Sequence, residues 1–158
     1  MLVKFLLFRF EHMRTIILIL SFSFFGIYFL SAQEWLTDFE KAKQIATNKN
    51  HSILLVFSGS DWCAPCIKLE KQVLETSEFK KDAHENYVLV RADFPRKKKN
   101  QLSQKLQAQN KKLAETYNRS GGFPLVVVID QFGKKLGEVG YIKSSPKEYL
   151  EMLDNMIK

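Results

Sequence analysis

Apolar positions change their period several times along the chain, and each change marks an element. Trp35, Phe39, Ala42 and Ile45 recur at helical spacing and predict an amphipathic helix that ends near Asn48-Lys49-Asn50. Ile53-Leu54-Leu55-Val56-Phe57 is a short unbroken run of β-formers and predicts a buried strand. Helical spacing returns with Ile67, Leu69, Glu70, Val73 and Leu74, so a helix runs to about Glu75; Thr76 or Ser77 then caps a short helix carrying Phe79 and Ala83. Tyr87-Val88-Leu89-Val90-Arg91-Ala92-Asp93 reads as a second strand. A basic loop after Pro95 leads into a polar helix with Leu102, Leu106, Leu113 and Tyr117 on its buried side. Asn118 to Gly122 is a turn-rich stop. Leu125-Val126-Val127-Val128-Ile129-Asp130 is the clearest buried strand, and Gln131-Phe132-Gly133-Lys134 turns it into a hairpin with Lys135 to Tyr141. Ser144 or Ser145 caps a last helix with Pro146 at its first position and Tyr149, Leu150, Leu153 and Ile157 facing inward.

The predicted order is α, β, α, β, α, β, β, α. Strands joined by crossover helices should be parallel, and the closing hairpin adds antiparallel pairing. The expected fold class is therefore α/β, with a central mixed sheet of four strands and helices on both faces.

The first thirty or so residues follow a different pattern. Ile16 to Leu30 is almost continuously apolar, with Arg14 before it and Leu30-Ser31-Ala32 after it. A basic start, a short apolar core and a small-residue exit describe a secretory signal, and the core is shorter than the roughly 20 residues a spanning helix prefers. Residues 1–32 are expected to be a signal peptide cut after Ala32 or one residue later, with Met13 as an alternative start; residues 33–158 form the mature domain. The competing expectation is an uncleaved helix that tethers the domain to the membrane. Either way the domain is exported, to the periplasm. No cysteine follows the apolar run, which excludes a lipid anchor there.

About 125 residues remain after the leader, enough for one domain with a sizeable core. The chain carries a formal net charge of +7, of which the leader holds about +2 through Lys4, Arg9 and Arg14 against Glu11. Much of the remaining excess lies in Arg96-Lys97-Lys98-Lys99 and Lys111-Lys112, runs that usually form solvated faces. No stacking aromatics interleave them, so nucleic acid is not the expected partner. An acidic partner surface stays open.

The candidate chemistry lies in Trp62-Cys63-Ala64-Pro65-Cys66, which holds the only two cysteines of the chain. Cys63 falls where a strand hands over to a helix, and the free N–H groups and positive dipole end of a helix favour a thiolate. Pro65 lies in the first helical turn, where a missing N–H costs little. Two thiols so spaced can cycle between dithiol and disulfide. A zinc site needs about four ligands; His51 and His84 could supply two more, but neither is paired at ligand spacing. A purely structural bridge over so short a loop would have small entropic value.

With these residues in view, the chain resembles the thioredoxin-fold family. The resemblance rests on Trp62-Cys63-Ala64-Pro65-Cys66 after a strand, Gly122-Phe123-Pro124 before a strand, and the final hairpin and helix. It covers roughly residues 35–157. The longer form Phe57-Ser58-Gly59-Ser60-Asp61-Trp62-Cys63 also resembles a branch of exported bacterial thioredoxin-like proteins.

The resemblance implies a protein thiol–disulfide oxidoreductase that reduces or isomerises disulfides without metal or organic cofactor, with a disulfide-donating oxidase or a non-catalytic binding module as alternatives. Cys63 would be the exposed attacking thiolate and Cys66 the more buried thiol that resolves the mixed disulfide. Trp62 would pack beside the site. Pro124 would be a cis-proline against the disulfide, and Phe123 would offer its backbone to an extended substrate segment. Substrates would be protein disulfides or dithiols, electrons would come from a membrane-bound donor, and the protein is expected to act as a monomer.

Two departures from the family stand out. Many thioredoxin-type reductases keep a buried carboxylate on the strand six residues before the first cysteine, where this chain has Phe57. Ala64 also replaces the glycine familiar from general thioredoxins, and intervening residues tune the redox potential. Asp61 is read as a solvent-exposed turn or helix-start residue.

Overall fold

A computed structural model describes residues 35–158. The expected signal peptide at residues 1–32 and the alternative start at Met13 lie outside the described residues. Five α-helices and four strands follow in the order α1 (Phe39–Lys49), β1 (Ser52–Ser58), α2 (Ala64–Leu69), α3 (Ser77–Asn86), β2 (Tyr87–Asp93), α4 (Gln104–Tyr117), β3 (Leu125–Ile129), β4 (Lys135–Val139) and α5 (Pro146–Asp154). The strands form one mixed sheet in the order β2-β1-β3-β4. β1 is parallel to β2, antiparallel to β3, and β3 is antiparallel to β4. The thioredoxin-like architecture expected from the sequence is the one observed.

Period-two alternation in the strands divides the core into two layers. Ile53, Leu55 and Phe57 of β1 join Val88, Val90, Val127 and Ile129 in a layer covered by Phe39, Ala42 and Ala46 of α1 and Leu113 of α4. Leu54 and Val56 join Leu89, Val126 and Val128 in the opposite layer, under Leu69, Val73, Phe79, Tyr149 and Leu153. Every residue of β1 is buried, which is why its sequence reads as a continuous apolar run rather than an alternating one.

Helix ends follow local chemistry. Asp38, Thr76 and Ser103 accept backbone N–H bonds at the starts of α1, α3 and α4. Ser145 and Glu148 form a reciprocal capping box on α5, with Pro146 in the first turn.

Several expectations need correction. Trp35 precedes α1 rather than lying on it; the chain there is extended, Leu36 bridges Val90 of β2, and the Trp35 ring stacks 4.7 Å from the Arg91 guanidinium. Leu102 lies before α4, because Ser103 is its N-cap. Ile157 lies beyond α5 and is 41% exposed, so the buried stripe ends at Leu153. The cysteine helix is also not uniform: after Leu69 it widens into a π-helical turn, Glu70–Leu74, in which Glu75 N–H donates to Glu70 C=O at 2.8 Å.

Candidate active site

The topology alone brings three chain segments together. β1 and β2 run parallel, so their C-terminal ends, Ser58 and Asp93, are register partners. β3 runs antiparallel to β1, so its first residue, Leu125, sits beside Phe57. The loop with the cysteines, the basic loop after Asp93 and the Phe123-Pro124 segment therefore meet at one end of the sheet. Loops at strand ends on a rigid sheet are where chemistry is usually placed.

Cys63 and Cys66 form a disulfide with an S–S distance of 2.08 Å. Cys63 is the N-cap of α2, and its Sγ accepts the Cys66 backbone N–H at 3.2 Å. That bond, with the helix N-terminus behind it, stabilises negative charge on Cys63 when the pair is reduced. The contrast in exposure expected between the cysteines is absent from the disulfide form, where Cys63 is 4% and Cys66 3% exposed. What distinguishes them is position: Cys63 caps the helix, whereas Cys66 lies inside it and faces the core. Ala64 and Pro65 occupy the first turn and are exposed.

The Phe123–Pro124 peptide is cis, and Pro124 is buried. Asn118 builds the turn before it. Its Nδ2 donates to Gly122 C=O at 2.8 Å, and its Oδ1 accepts the Gly122 N–H at 3.1 Å. Gly121 completes the turn with φ +68°, a left-handed conformation that suits glycine. Within the turn-rich stretch the sequence did not single out Asn118. A buried Asn between a helix and a Gly-Gly pair is the pattern that could have identified it.

Trp62 is held from several sides. Its Nε1–H donates to Phe94 C=O at 2.7 Å, and its ring lies 5.7 Å from that of Phe123. Phe94 packs edge-on against Phe123 at 5.3 Å, and Arg96 stacks over the indole at 3.7 Å. Beneath the indole runs Gly59; a Cβ there would lie 2.6 Å from the indole Nε1, so the backbone's close approach requires glycine.

Asp61 lies in a turn, as expected, and it also binds the basic loop. Its carboxylate accepts the backbone N–H groups of Arg96 and Lys97, each at 2.9 Å, and the Asn100 side chain at 2.9 Å. The bond from Arg96 is the main cause holding its pKa below the usual carboxylate range. Asp61 thus ties the basic loop to the cysteine loop. The basic run is exposed, as expected of a solvated face, and it borders the site: Arg96 sits on the tryptophan next to Cys63.

On the far side of Trp62 lies a groove of about 690 Å³ whose walls include Trp62, Phe94, Arg96, Lys111 and Phe123. Its wall is fixed by Asn110, a fully buried residue of α4 whose Nδ2 donates to Asp93 C=O at 2.9 Å. Among the described residues, no group of three or more His, Cys, Asp or Glu side chains is arranged to hold a metal ion.

A family model described as a thioredoxin-like domain matches residues 39–157. The chain belongs to the thioredoxin-like family. It is 33% identical over 120 residues to the disulfide bond reductase DsbH of Chlamydia pneumoniae, a match covering 76% of this chain and 70% of that protein. The structure of a DsbH oxidoreductase superposes with a TM-score of 0.74 at 31% identity, covering 80% of this chain and 85% of the other. A disulphide isomerase from Xylella fastidiosa Temecula1 shares the fold, with a TM-score of 0.58 at 20% identity over 84% of this chain and 95% of its own. Within this family, the Cys63–Cys66 pair makes the chain a thiol–disulfide oxidoreductase.

Proposed function

We propose that this thioredoxin-like oxidoreductase works as an exported reductase of protein disulfides. The observation that carries the reading is the Cys66 N–H directed at Cys63 Sγ at the start of α2. In the reduced protein, Cys63 thiolate attacks a substrate disulfide and forms a mixed disulfide, releasing one substrate thiolate. Cys66 then attacks Cys63 Sγ, the bond from Cys63 to substrate breaks, and the second thiolate leaves. The protein ends as the Cys63–Cys66 disulfide and needs two electrons to act again. Those electrons come from a membrane-bound donor of the same compartment. The similarity to a protein named disulfide bond reductase supports this direction over oxidation.

Residues 1–32 direct export to the periplasm, where disulfides persist as substrates, and residues 33–158 form the working domain, acting as a monomer. Among the described residues, no helix is long and apolar enough to cross a membrane. Phe123 and its neighbours Trp62 and Phe94 would receive an extended substrate segment, with main-chain bonding at Phe123.

The test is the reduction potential of the Cys63–Cys66 pair, by equilibration in defined thiol buffers with Trp62 fluorescence as reporter. A value near about −270 mV is expected of a reductase. A value near about −120 mV would make the protein a disulfide donor and reverse the direction of transfer.

A further inference from the structure

The resolving step has an unmet chemical requirement. Cys66 must lose its proton to become a nucleophile, and a thiol with an ordinary pKa of about 8.5 is mostly protonated at neutral pH. Burial in apolar surroundings holds the proton more tightly still. Six residues before Cys63, on β1, Phe57 faces the α1 and α4 layer and is fully buried. It can take no proton.

A second cavity, of about 140 Å³, opens beside Cys66 on the other face of the sheet. Cys66, Glu70, Arg91 and Ser58 line it. Glu70 is one helical turn beyond Cys66, with its backbone N–H bonded to Cys66 C=O, so the two side chains share a face. The Glu70 carboxylate pairs with the Arg91 guanidinium on β2; their side chains are only 20% and 24% exposed. Arg91 Nε is a buried donor with no partner, although the pair itself is formed. A buried polar donor without a partner is a place where charge or water is expected. The volume accommodates a short water chain, each water occupying about 30 Å³.

The geometry points to Glu70 as the acceptor of the Cys66 proton, with Arg91 stabilising the sulfur charge that develops. This inference rests on the thiol–disulfide exchange reading above. In the mixed disulfide, the Cys66 proton passes through water in the cavity to the Glu70 carboxylate. The Cys66 electron pair forms the new bond to Cys63 Sγ, the bond from Cys63 to substrate breaks, and substrate leaves as a thiolate. Glu70 then returns its proton to solvent through the open side of the cavity. Arg91 plays the opposite part: its fixed positive charge lowers the cost of the anionic sulfur in a partly dry site. The other charged groups lining this space are Lys71 and Glu75; Asp93, at the end of β2, lines the groove beside Trp62 instead and is held by the Ser60 N–H and hydroxyl. Lys71 and Glu75 oppose each other in sign, and Asp93 is already engaged. Glu70 is therefore the carboxylate one turn from Cys66 that is paired directly with the stabilising arginine.

The test separates attack from resolution in the reduced full-length chain, in mild detergent. A symmetrical aryl disulfide, whose released thiolate absorbs visible light, is mixed in stopped flow. The first thiolate reports attack by Cys63; the second reports resolution by Cys66. Glu70→Gln, which keeps a hydrogen-bonding partner for Arg91, should leave the first phase unchanged and slow the second on the order of 100-fold near neutral pH, the lower end for a general base. Its second phase should rise about tenfold per pH unit, as the thiolate fraction does, until it meets the native rate in alkali. Glu70→Asp should restore much of the rate. Arg91→Gln should slow the second phase and leave the first unchanged. A second phase in Glu70→Gln that matches the native rate and profile overturns the relay, as does a slowing equal at every pH, which would mark a structural role. Loss of the first phase in the native protein would instead overturn the exchange reading itself, and the relay with it.

Discussion

Gly59 offers the sharpest test of how the tryptophan is positioned. A Cβ added there would stand 2.6 Å from the indole Nε1 and Cζ2, about 0.8 Å closer than ordinary contact begins. The indole cannot simply swing aside, because Phe94 C=O holds Nε1 at 2.7 Å while Phe123 and Arg96 flank its faces. Gly59→Ala should therefore expel Trp62 from its seat. The lost hydrogen bond costs about 1 kcal/mol and the residual crowding another 1–2 kcal/mol. A total of about 2–3 kcal/mol lowers the midpoint of thermal unfolding by roughly 8–12 °C in a domain of this size. The assay is a double-mutant cycle read by calorimetry or circular dichroism. In a Trp62→Ala background the obstruction is gone, so Gly59→Ala should cost less than about 0.5 kcal/mol there, and the coupling should be about 2 kcal/mol. The same cost in both backgrounds would refute the argument, since it would locate the penalty in the backbone rather than in contact with the indole.

Other outcomes follow from the same geometry. Cys66→Ser should accumulate protein substrates covalently on Cys63, visible as thiol-sensitive adducts on non-reducing gels, and their absence in cells would remove the exchange role. Asp61→Asn should loosen the basic loop, because the carboxylate that accepts the Arg96 and Lys97 N–H groups is lost; trypsin should then cut after Arg96 or Lys97 faster than in the native protein. Since the folded-state pKa of Asp61 is depressed, the clamp is fully present above the ordinary aspartate range and is lost as pH falls through the lowered value. Ser145→Ala should cost about 1 kcal/mol in denaturant unfolding by removing the cap of α5. It should raise the Glu148 carboxyl only part of the way toward the ordinary glutamate range in an NMR titration, because the residue 145 N–H, the main cause of its lowering, survives and only the hydroxyl is lost. Because that pKa is depressed, the contribution of the box is complete above the ordinary glutamate range and fades as pH falls through the folded value.

Much of the fold was legible because its signals are local. The β1 and β3 runs are buried on both faces and flanked by turn residues, so their identity did not depend on partners. Ser145 and Pro146 likewise declare the start of α5 through chemistry within four residues. Trp35 misled because its spacing fits a helix, whereas its place is fixed by Arg91, far away in sequence. The same limit applies to Asp61, whereas Asn118 bonds within its own turn, to Gly122. Each is a common turn residue whose importance lies in which N–H groups reach it, and for Asp61 those belong to a loop some 35 residues later. Trp62, Cys63, Cys66 and Pro124 could be singled out because a motif names them, but the loop that cradles the indole could not.

Glu70 and Arg91 show where such a long-range feature does leave a trace. Each is a charge set into an otherwise apolar pattern: Glu70 among Leu69, Val73 and Leu74, and Arg91 among Val88, Leu89, Val90 and Ala92. A lone charge on a buried face is costly, and it persists when an opposite charge on a neighbouring element compensates it. Two such exceptions of opposite sign, one on the helix after Cys66 and one on the adjoining strand, imply each other. The pair is found together, with Cys66 lining the same cavity. A hydrophobic pair of similar volume could close that space and would often be equally stable or more so. Stability alone therefore does not account for charges beside a thiol that must ionise, whereas proton transfer from Cys66 does.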